Sequence, residues 1–327
     1  MDVRHVIAAC LVAFPAAGFA QTLYVTDQQA GVTTLDAASL TPTGHIDIGG
    51  KGPRGIAVTA DGKLLLVANQ ITADLSVIDR ASGRLQTRIP IGPSTEMVRV
   101  QGHTAFATYE PPTDKGGLAH IAVVDLDTGK LVASVASGHE TEGLEFSTDG
   151  KYLLVTNEGD NTISIYNRPA YTLAREVKTE QYGTRPRGIK RFPDGSGYIV
   201  TLEFSAKFLV LDKDFNITKA VATGESPYGV AFSPDGSKLF VAAAKAGLLQ
   251  EFDAKTYAHI ADAPIGKRCW HFTFTPDGSH IVAACGRSGS LSVVDPATMK
   301  AGEPIVGFKM PWGIVSYPPA DGTLQTK

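Results

Sequence analysis

One pattern recurs seven times in this chain and limits what it can become: a short alternating run of apolar and polar residues that stops on Asp or Asn. The copies read VTTLD (32–36), LSVID (75–79), IAVVD (121–125), ISIYN (163–167), FLVLD (208–212), LQEFD (249–253) and LSVVD (291–295). Their last residues, Asp36, Asp79, Asp125, Asn167, Asp212, Asp253 and Asp295, are spaced 43, 46, 42, 45, 41 and 42 apart. Alternation with period two marks a strand with one buried face. A repeat of this length holds about four strands, and no single copy can bury that face alone. The short side chain that ends each run accepts a hydrogen bond from the backbone two residues on and starts a tight turn.

A strand–turn–strand unit precedes the later copies. GPRGIAVTADGKLLLVAN (52–69), EGLEFSTDGKYLLVTN (142–157), SPYGVAFSPDGSKLFVAA (226–243) and CWHFTFTPDGSHIVAAC (269–285) share one frame, and RPRGIKRFPDGSGYIVTL (185–202) is a rougher version. Asp-Gly pairs at 61–62, 149–150, 194–195, 235–236 and 277–278 mark hairpin turns, and Gly102 takes that place in VRVQGHTAFATY (98–109). Each unit therefore reads as strands A to D. Six units are complete and one is split. MPWGIVSY (310–317) is a strand A with only a short tail after it, and TLYVTD (22–27) is a strand B with no strand A before it. Joining them removes both open edges. The expected fold is all-β, a seven-bladed β-propeller of four-stranded blades, closed by N- and C-terminal strands that share one blade. A closed ring needs no second copy to cover an edge, so a monomer is expected.

The first twenty residues differ from the rest. Arg4 and His5 precede the apolar run VIAACLVAF (6–14), and small residues follow, ending GFA (18–20) before Gln21. That order is the order of a secretory signal, too short in its apolar part to span a bilayer as a mature helix. We expect cleavage after Ala20, a periplasmic or secreted product, and a single propeller domain over residues 21–327. No later segment is long and apolar enough to cross a membrane. Cleavage removes Cys10 and leaves Cys269 and Cys285, which lie equally far from the turn at Asp277 and therefore face each other. In an oxidising compartment they are expected to form a disulfide. A copper site using His271, or a pair of free thiols, are the alternatives. The net charge of −3 and the lack of a basic stripe argue against nucleic acid as a partner.

LYVTD (23–27) and LLVTNEGDNTISIYN (153–167) resemble the tyrosine-valine-threonine-asparagine propeller repeat, a WD40-like repeat found largely in exported bacterial propellers. Relatives of that family include the cytochrome d1 haem domain, the methylamine dehydrogenase heavy chain and the lactonase-type propellers. The resemblance covers nearly all of the chain after residue 20. It implies that D–A and B–C loops share one face, here called the top, around a central funnel where ligands bind. Aligning the starts of strand A then gives one residue per blade: Arg54, Glu96, Glu142, Arg187, Tyr228, Trp270 and Trp312. Most stand inside a Pro-x-Gly frame, so the frame is read as building the fold and the middle residue as facing the mouth. Arg54 and Arg187 suit a carboxylate. Tyr228, Trp270 and Trp312, with His271 beside them, suit a flat or apolar body. The B–C loops add Asn69, Glu110, Asn157, Glu203, Lys245 and Arg287 as weaker candidates.

The resemblance also implies a possible chemistry. WHFTFTPDG (270–278) is similar to the lactonase Pro-Arg-His-Phe strand, with Trp270 in place of arginine. RPRGIKRFPDG (185–195) followed by TLEFS (201–205) is similar to the lactonase arginine strand followed by a glutamate. On that reading Arg187 polarises a lactone carbonyl and Glu203 or Glu142 acts as general base. Gly188 stands where the family has a histidine, and no single blade holds the full pattern. The absence of a CxxCH motif excludes covalent c-type haem. The expected function is a periplasmic binding or accessory protein, more binding module than enzyme, that holds a small organic anion or a protein partner on its top face. A lactonase-type hydrolase is the alternative, and an accessory to a periplasmic redox or cofactor system is the second. No cofactor is identified by the sequence. No metal site is assigned, and noncovalent haem, quinone or copper stay open.

Overall fold

A computed structural model of the chain describes residues 21–111 and 117–325. The proposed signal segment, with Cys10, lies outside the described residues. Each of the seven alternating runs is the third strand of an antiparallel sheet, and the sheets are arranged as seven blades. The innermost strands, one per blade from blade 1 to blade 7, are Pro311–Tyr317, Pro53–Val58, Val98–Gln101, Thr141–Phe146, Pro186–Arg191, Pro227–Phe232 and Cys269–Phe274. Blade 1 is the split one: Thr22–Asp27 pairs antiparallel with Pro311–Tyr317, with Thr22 opposite Tyr317 and Leu23 opposite Ser316. Blade 7 has its outer edge in two pieces, Lys300–Ala301 and Ile305–Val306, both on Ser290–Asp295.

Burial falls from the channel outward. In blade 2, Leu64–Asn69 is almost wholly buried, whereas the outer strand Arg84–Pro90 buries only Ile89. The core therefore lies between blades, where rings such as Phe106 and Phe146 meet edge to face at 5.1 Å. The terminal aspartates act as the sequence suggests. Asp36 Oδ1 accepts from the backbone N–H of Ala38 and Ser39, Asp253 Oδ1 from Lys255 and Thr256, and Asp295 Oδ1 from Ala297 and Thr298. In the five Asp-Gly turns the glycine takes a left-handed φ between 69° and 74°, which a side chain rarely tolerates.

The Pro-x-Gly frame has a packing reason. A Cβ at Gly55 would lie 2.6 Å from both the Glu96 carbonyl and the Val98 nitrogen, and one at Gly229 would lie 2.6 Å from the Trp270 carbonyl. Only glycine lets the next blade's backbone come this close. The threonine of the repeat then joins neighbouring blades. Thr201 Oγ1 donates to the Tyr228 carbonyl at 2.8 Å and accepts from Gly188 N at 2.9 Å. Thr156 does the same with the Arg187 carbonyl and Gly143 N, and Thr26 with the Arg54 carbonyl and Gly313 N. At these three junctions one hydroxyl thus satisfies a buried donor and acceptor that face each other across two blades.

Residues 318–325 turn back beneath the channel and close its floor. Thr323 N donates to the Phe272 carbonyl at 2.9 Å, and the buried Arg99 gives Nη2 to the Thr323 carbonyl at 3.2 Å. The buried Lys190 ammonium donates to the Gly322 and Gln325 carbonyls at 2.6 and 2.5 Å. Burial, with Arg99 alongside, pushes Lys190 down to about 7. No helix among the described residues is long and apolar enough to cross a membrane.

Candidate functional site

The top-face residues are aimed by two backbone devices that repeat around the ring. Strand A carries a register shift against strand B at the aligned position, between Pro53 and Ile56, Thr141 and Leu144, Pro186 and Ile189, Pro227 and Val230, and Cys269 and His271. A bulge of this kind turns a side chain away from the pleat. Two residues before the aligned position the backbone is left-handed: Gly52, Ser94, Glu140, Arg185, Ser226 and Arg268 all have φ between 51° and 67°. Holding a non-glycine residue there costs about 1 kcal/mol or more. Glu140, Arg185 and Arg268, among the residues held in that conformation, send their side chains into the mouth.

What gathers there is a network of ions. Glu96, Glu110, Glu140, Glu142, Glu158 and Glu203 face Arg54, Arg185, Arg187 and Arg268. Arg187 lies at its centre, with Nε 2.6 Å from Glu158, Nη2 3.5 Å from Glu142, and Nη1 bonded to Glu203. Its guanidinium also stacks on Tyr228, 4.1 Å from the ring centroid. Arg185 reaches Glu140 and Glu158, both at 2.7 Å, and Arg268 reaches Glu203 at 3.0 Å. Arg54 pairs with Glu96, which also accepts from Gln70 Nε2 at 3.1 Å. Tyr228 donates its hydroxyl to Glu142.

Six carboxylates against four guanidiniums leave the mouth short of positive charge, and the carboxyls respond unequally. Burial and the nearby Glu142 push Glu96 up to about 7 despite Arg54. The same two influences, with Glu140, push Glu110 up to about 7. Burial raises Glu158 well above the ordinary range, with Glu142 adding to it against the pull of Arg187. Burial also works against ionisation of Glu203, but Arg187, Arg268 and Arg185 outweigh it and hold that carboxyl below its usual value. Near neutral pH the mouth therefore holds carboxyls that take up and release protons beside one that stays ionised.

The aromatic residues of the ring sit at different depths. Trp312 and Tyr228 are each 1% exposed and fill one side of the channel. Trp270 is half-buried and packs against Gly286, where any Cβ would overlap the indole ring. His271 lies below them, 4.4 Å from the Trp312 ring, with Nδ1 3.0 Å from Thr323 Oγ1 of the tail. Its buried Nε2 has no partner, and burial together with Arg187 and Arg99 keeps the ring neutral. Lys267 and Arg287, in the loops beside Trp270, and Lys309, just before Pro311, are exposed and form no ion pair among the described residues. Arg287 N donates to the Lys267 carbonyl, so two of these three cations come from neighbouring loops that touch.

Several expectations are resolved at the level of side chains. Cys269 and Cys285 are register partners in blade 7 and are bridged. Neither sulfur is left as a thiolate for copper, and His271 turns toward Thr323 instead. Asn69 and Asn157 are not loop-tip groups. Both are fully buried; Asn69 gives Nδ2 to Asp74 and Ser76, and Asn157 gives Nδ2 to Thr162 and Ser164. Glu203 enters the network, while Lys245 pairs with Glu225 at the surface. Glu158, Arg185 and Arg268 belong to the site although aligning strand starts misses them. Among the described residues no three His, Cys, Asp or Glu side chains are grouped to hold a metal ion.

Fold and site define a seven-bladed propeller with a charged, partly filled top-face funnel. A family model described as lactonase, 7-bladed beta-propeller, matches residues 23–100. No curated protein matches the chain in sequence. Among solved structures, the chain is similar to a functionally unknown protein from Desulfotomaculum acetoxidans DSM 771, with TM-score 0.79 and 16% identity over 90% of this chain and 98% of that one. It is also similar to the periplasmic gluconolactonase PpgL of Pseudomonas aeruginosa, with TM-score 0.75 and 20% identity over 90% and 98%. The dihydro-heme d1 dehydrogenase NirN, in complex with DHE, aligns with TM-score 0.65 and 16% identity over 93% of this chain and 78% of that one. At these identities the likeness shows the fold.

Proposed function

We propose that this chain is an exported binding or accessory propeller whose top-face funnel takes a small organic anion. The observation that carries the reading is the Arg54–Glu96 pair. Arg54 is engaged in the free protein, but its partner is a carboxyl pushed up to about 7, which gives up its charge easily. An incoming carboxylate of ordinary acidity takes over the guanidinium while Glu96 accepts a proton. Trp270 offers a flat wall, and Lys267, Arg287 and Lys309 make its side of the mouth attractive to anions. Export, with cleavage after Ala20, agrees with the bridged cysteines. Calorimetry near pH 7 with gluconate and a small set of other hydroxy acids, in two buffers of different ionisation enthalpy, tests the reading. Binding should take up about half a proton per site at pH 7, where Glu96 is already about half protonated, and be lost in Arg54→Ala. Binding without proton uptake, or binding that survives Arg54→Ala, would sink it, and so would failure of every acid in the set while a protein partner copurifies.

A lactonase is the second reading, favoured by the match over residues 23–100 and by Arg187 in the mouth. Glu203 suits the general-base role poorly, because three guanidiniums keep it ionised and weakly basic. Glu158, raised and in contact with Arg187, is the better placed base. Release of acid from gluconolactone by the wild type, abolished in Glu158→Gln and Arg187→Met but retained in Glu203→Gln, would establish this reading over the first.

A further inference from the structure

The underside of the propeller holds a second cavity, of about 470 Å³, separate from the funnel and walled partly by the tail. Its apolar wall comes from Val58, Val100, Phe146, Pro318 and Leu324, and its polar wall from Arg99, Arg191, Glu145 and Gln101. This is the size and mixture of a small-molecule site. The charges do not balance. Glu145 is buried, is paired with Arg99 at 3.5 Å, and also accepts the Phe146 N–H. Arg99 spends its remaining donors on the Leu144 and Thr323 carbonyls. Arg191 gives Nη1 to the Phe146 carbonyl at 3.2 Å, a neutral acceptor, and forms no ion pair with any described residue. A half-buried guanidinium with no side-chain ion pair among the described residues therefore faces a partly apolar cavity, while Glu145 accepts the Arg191 backbone N–H at 3.4 Å. Lys190, just behind, holds the tail in place.

We infer that this cavity binds a short-chain carboxylate, with Arg191 meeting the carboxylate and the apolar wall covering the chain. The pairing is charge-assisted and planar, which favours a carboxylate over a neutral amide of the same shape. The site is independent of the funnel, because strand A residues and the tail lie between them.

The experiment uses hexanoate and hexanamide as probes of the full chain, read by calorimetry at pH 7. Hexanoate should bind at one saturable site, and hexanamide much more weakly. Arg191→Gln should weaken hexanoate by about tenfold or more, with its melting temperature checked alongside. Ala60→Trp, on an exposed turn that lines the cavity, should block binding without touching a charge. Arg54→Ala should leave hexanoate binding unchanged. The inference is overturned if the wild type shows no saturable binding, if hexanamide binds as well as hexanoate, if Arg191→Gln or Ala60→Trp binds like the wild type, or if Arg54→Ala abolishes binding.

Discussion

Replacing Arg187 by methionine removes the cation around which the top-face network is built and keeps most of its volume. Three carboxyls then lose a partner. Glu203 keeps Arg185 and Arg268, Glu158 keeps Arg185, and Glu142 keeps only the Tyr228 hydroxyl. Removing one partner from a buried ionic network costs about 3–5 kcal/mol. For a domain of about 300 residues that lowers the melting temperature by roughly 5–8 °C. The loss depends on pH in a direction that can be worked out. Burial and Glu142 already raise Glu158, and without Arg187 Glu158 moves further up while Glu203 loses part of what holds it down. A carboxyl raised in the folded state destabilises the fold above its ordinary pKa, and the penalty fades as pH falls through the folded value. The wild type behaves oppositely at Glu203, whose lowered pKa adds stability above about 4.5 that is lost in acid. Wild type and variant should therefore differ most at pH 7.5 and converge toward pH 5. Urea unfolding at the two pH values measures this. A deficit below about 1 kcal/mol at pH 7.5, or one of equal size at both pH values, would refute the view that Arg187 is the counter-ion of the cluster.

Two further outcomes follow from the ring itself. Gly55→Ala places a methyl against backbone atoms of Glu96, Met97 and Val98, none of which can rotate away, and should cost about 1–3 kcal/mol or more in urea unfolding; stability within 0.5 kcal/mol of wild type would mean that the blades are not packed at that junction as described. The turn aspartates, among them Asp61, Asp149 and Asp235, are held at about 2 by hydrogen bonds led by the hydroxyls of Thr59, Ser147 and Ser233, so a fraction of stability should be present above pH 4 and disappear as pH falls from about 4 to 2. Urea unfolding midpoints followed by circular dichroism between about pH 5 and pH 2 should fall in that window, and a midpoint that does not change would count against it.

The propeller was readable because its information is repeated. Seven Asp or Asn endings, five Asp-Gly turns and the Pro-x-Gly frame report the same geometry, so errors in one copy are corrected by the others. The frame's glycine and the repeat's threonine are constrained by contacts between blades, and those contacts recur at several junctions. The site was only half readable for the same reason in reverse. Arg54, Glu96, Glu142 and Arg187 stand at the aligned position and could be found. Glu158, one residue past the end of its strand, and Arg185 and Arg268, two residues before the aligned position, are unique to their blades. The one available signal was a large residue where blade 2 has Gly52, at a bend that favours glycine. The depth of Trp312 and Tyr228 was hidden because aligned residues need not lie equally deep. The tail was unreadable by alignment altogether, since residues 318–325 occur once and their role depends on Arg99, Lys190 and Thr323 meeting across the channel.

The split first blade sets the order of events in time. Strands within blades 2, 4, 5 and 6 are joined by short turns, and each of these blades can pair as soon as its own stretch has been made. The contact between Thr26 and Gly313 spans 287 residues, and the channel floor waits for the residues just beyond. Loop closure of that length costs only a little more free energy than a loop half as long, so the penalty falls on rate and not on final stability. Until the last-made strand arrives, Thr22–Asp27 has an unpaired edge and the channel has no base. The finished ring should therefore form in one late step, and the interval before it is when the chain is most open to aggregation and to proteases.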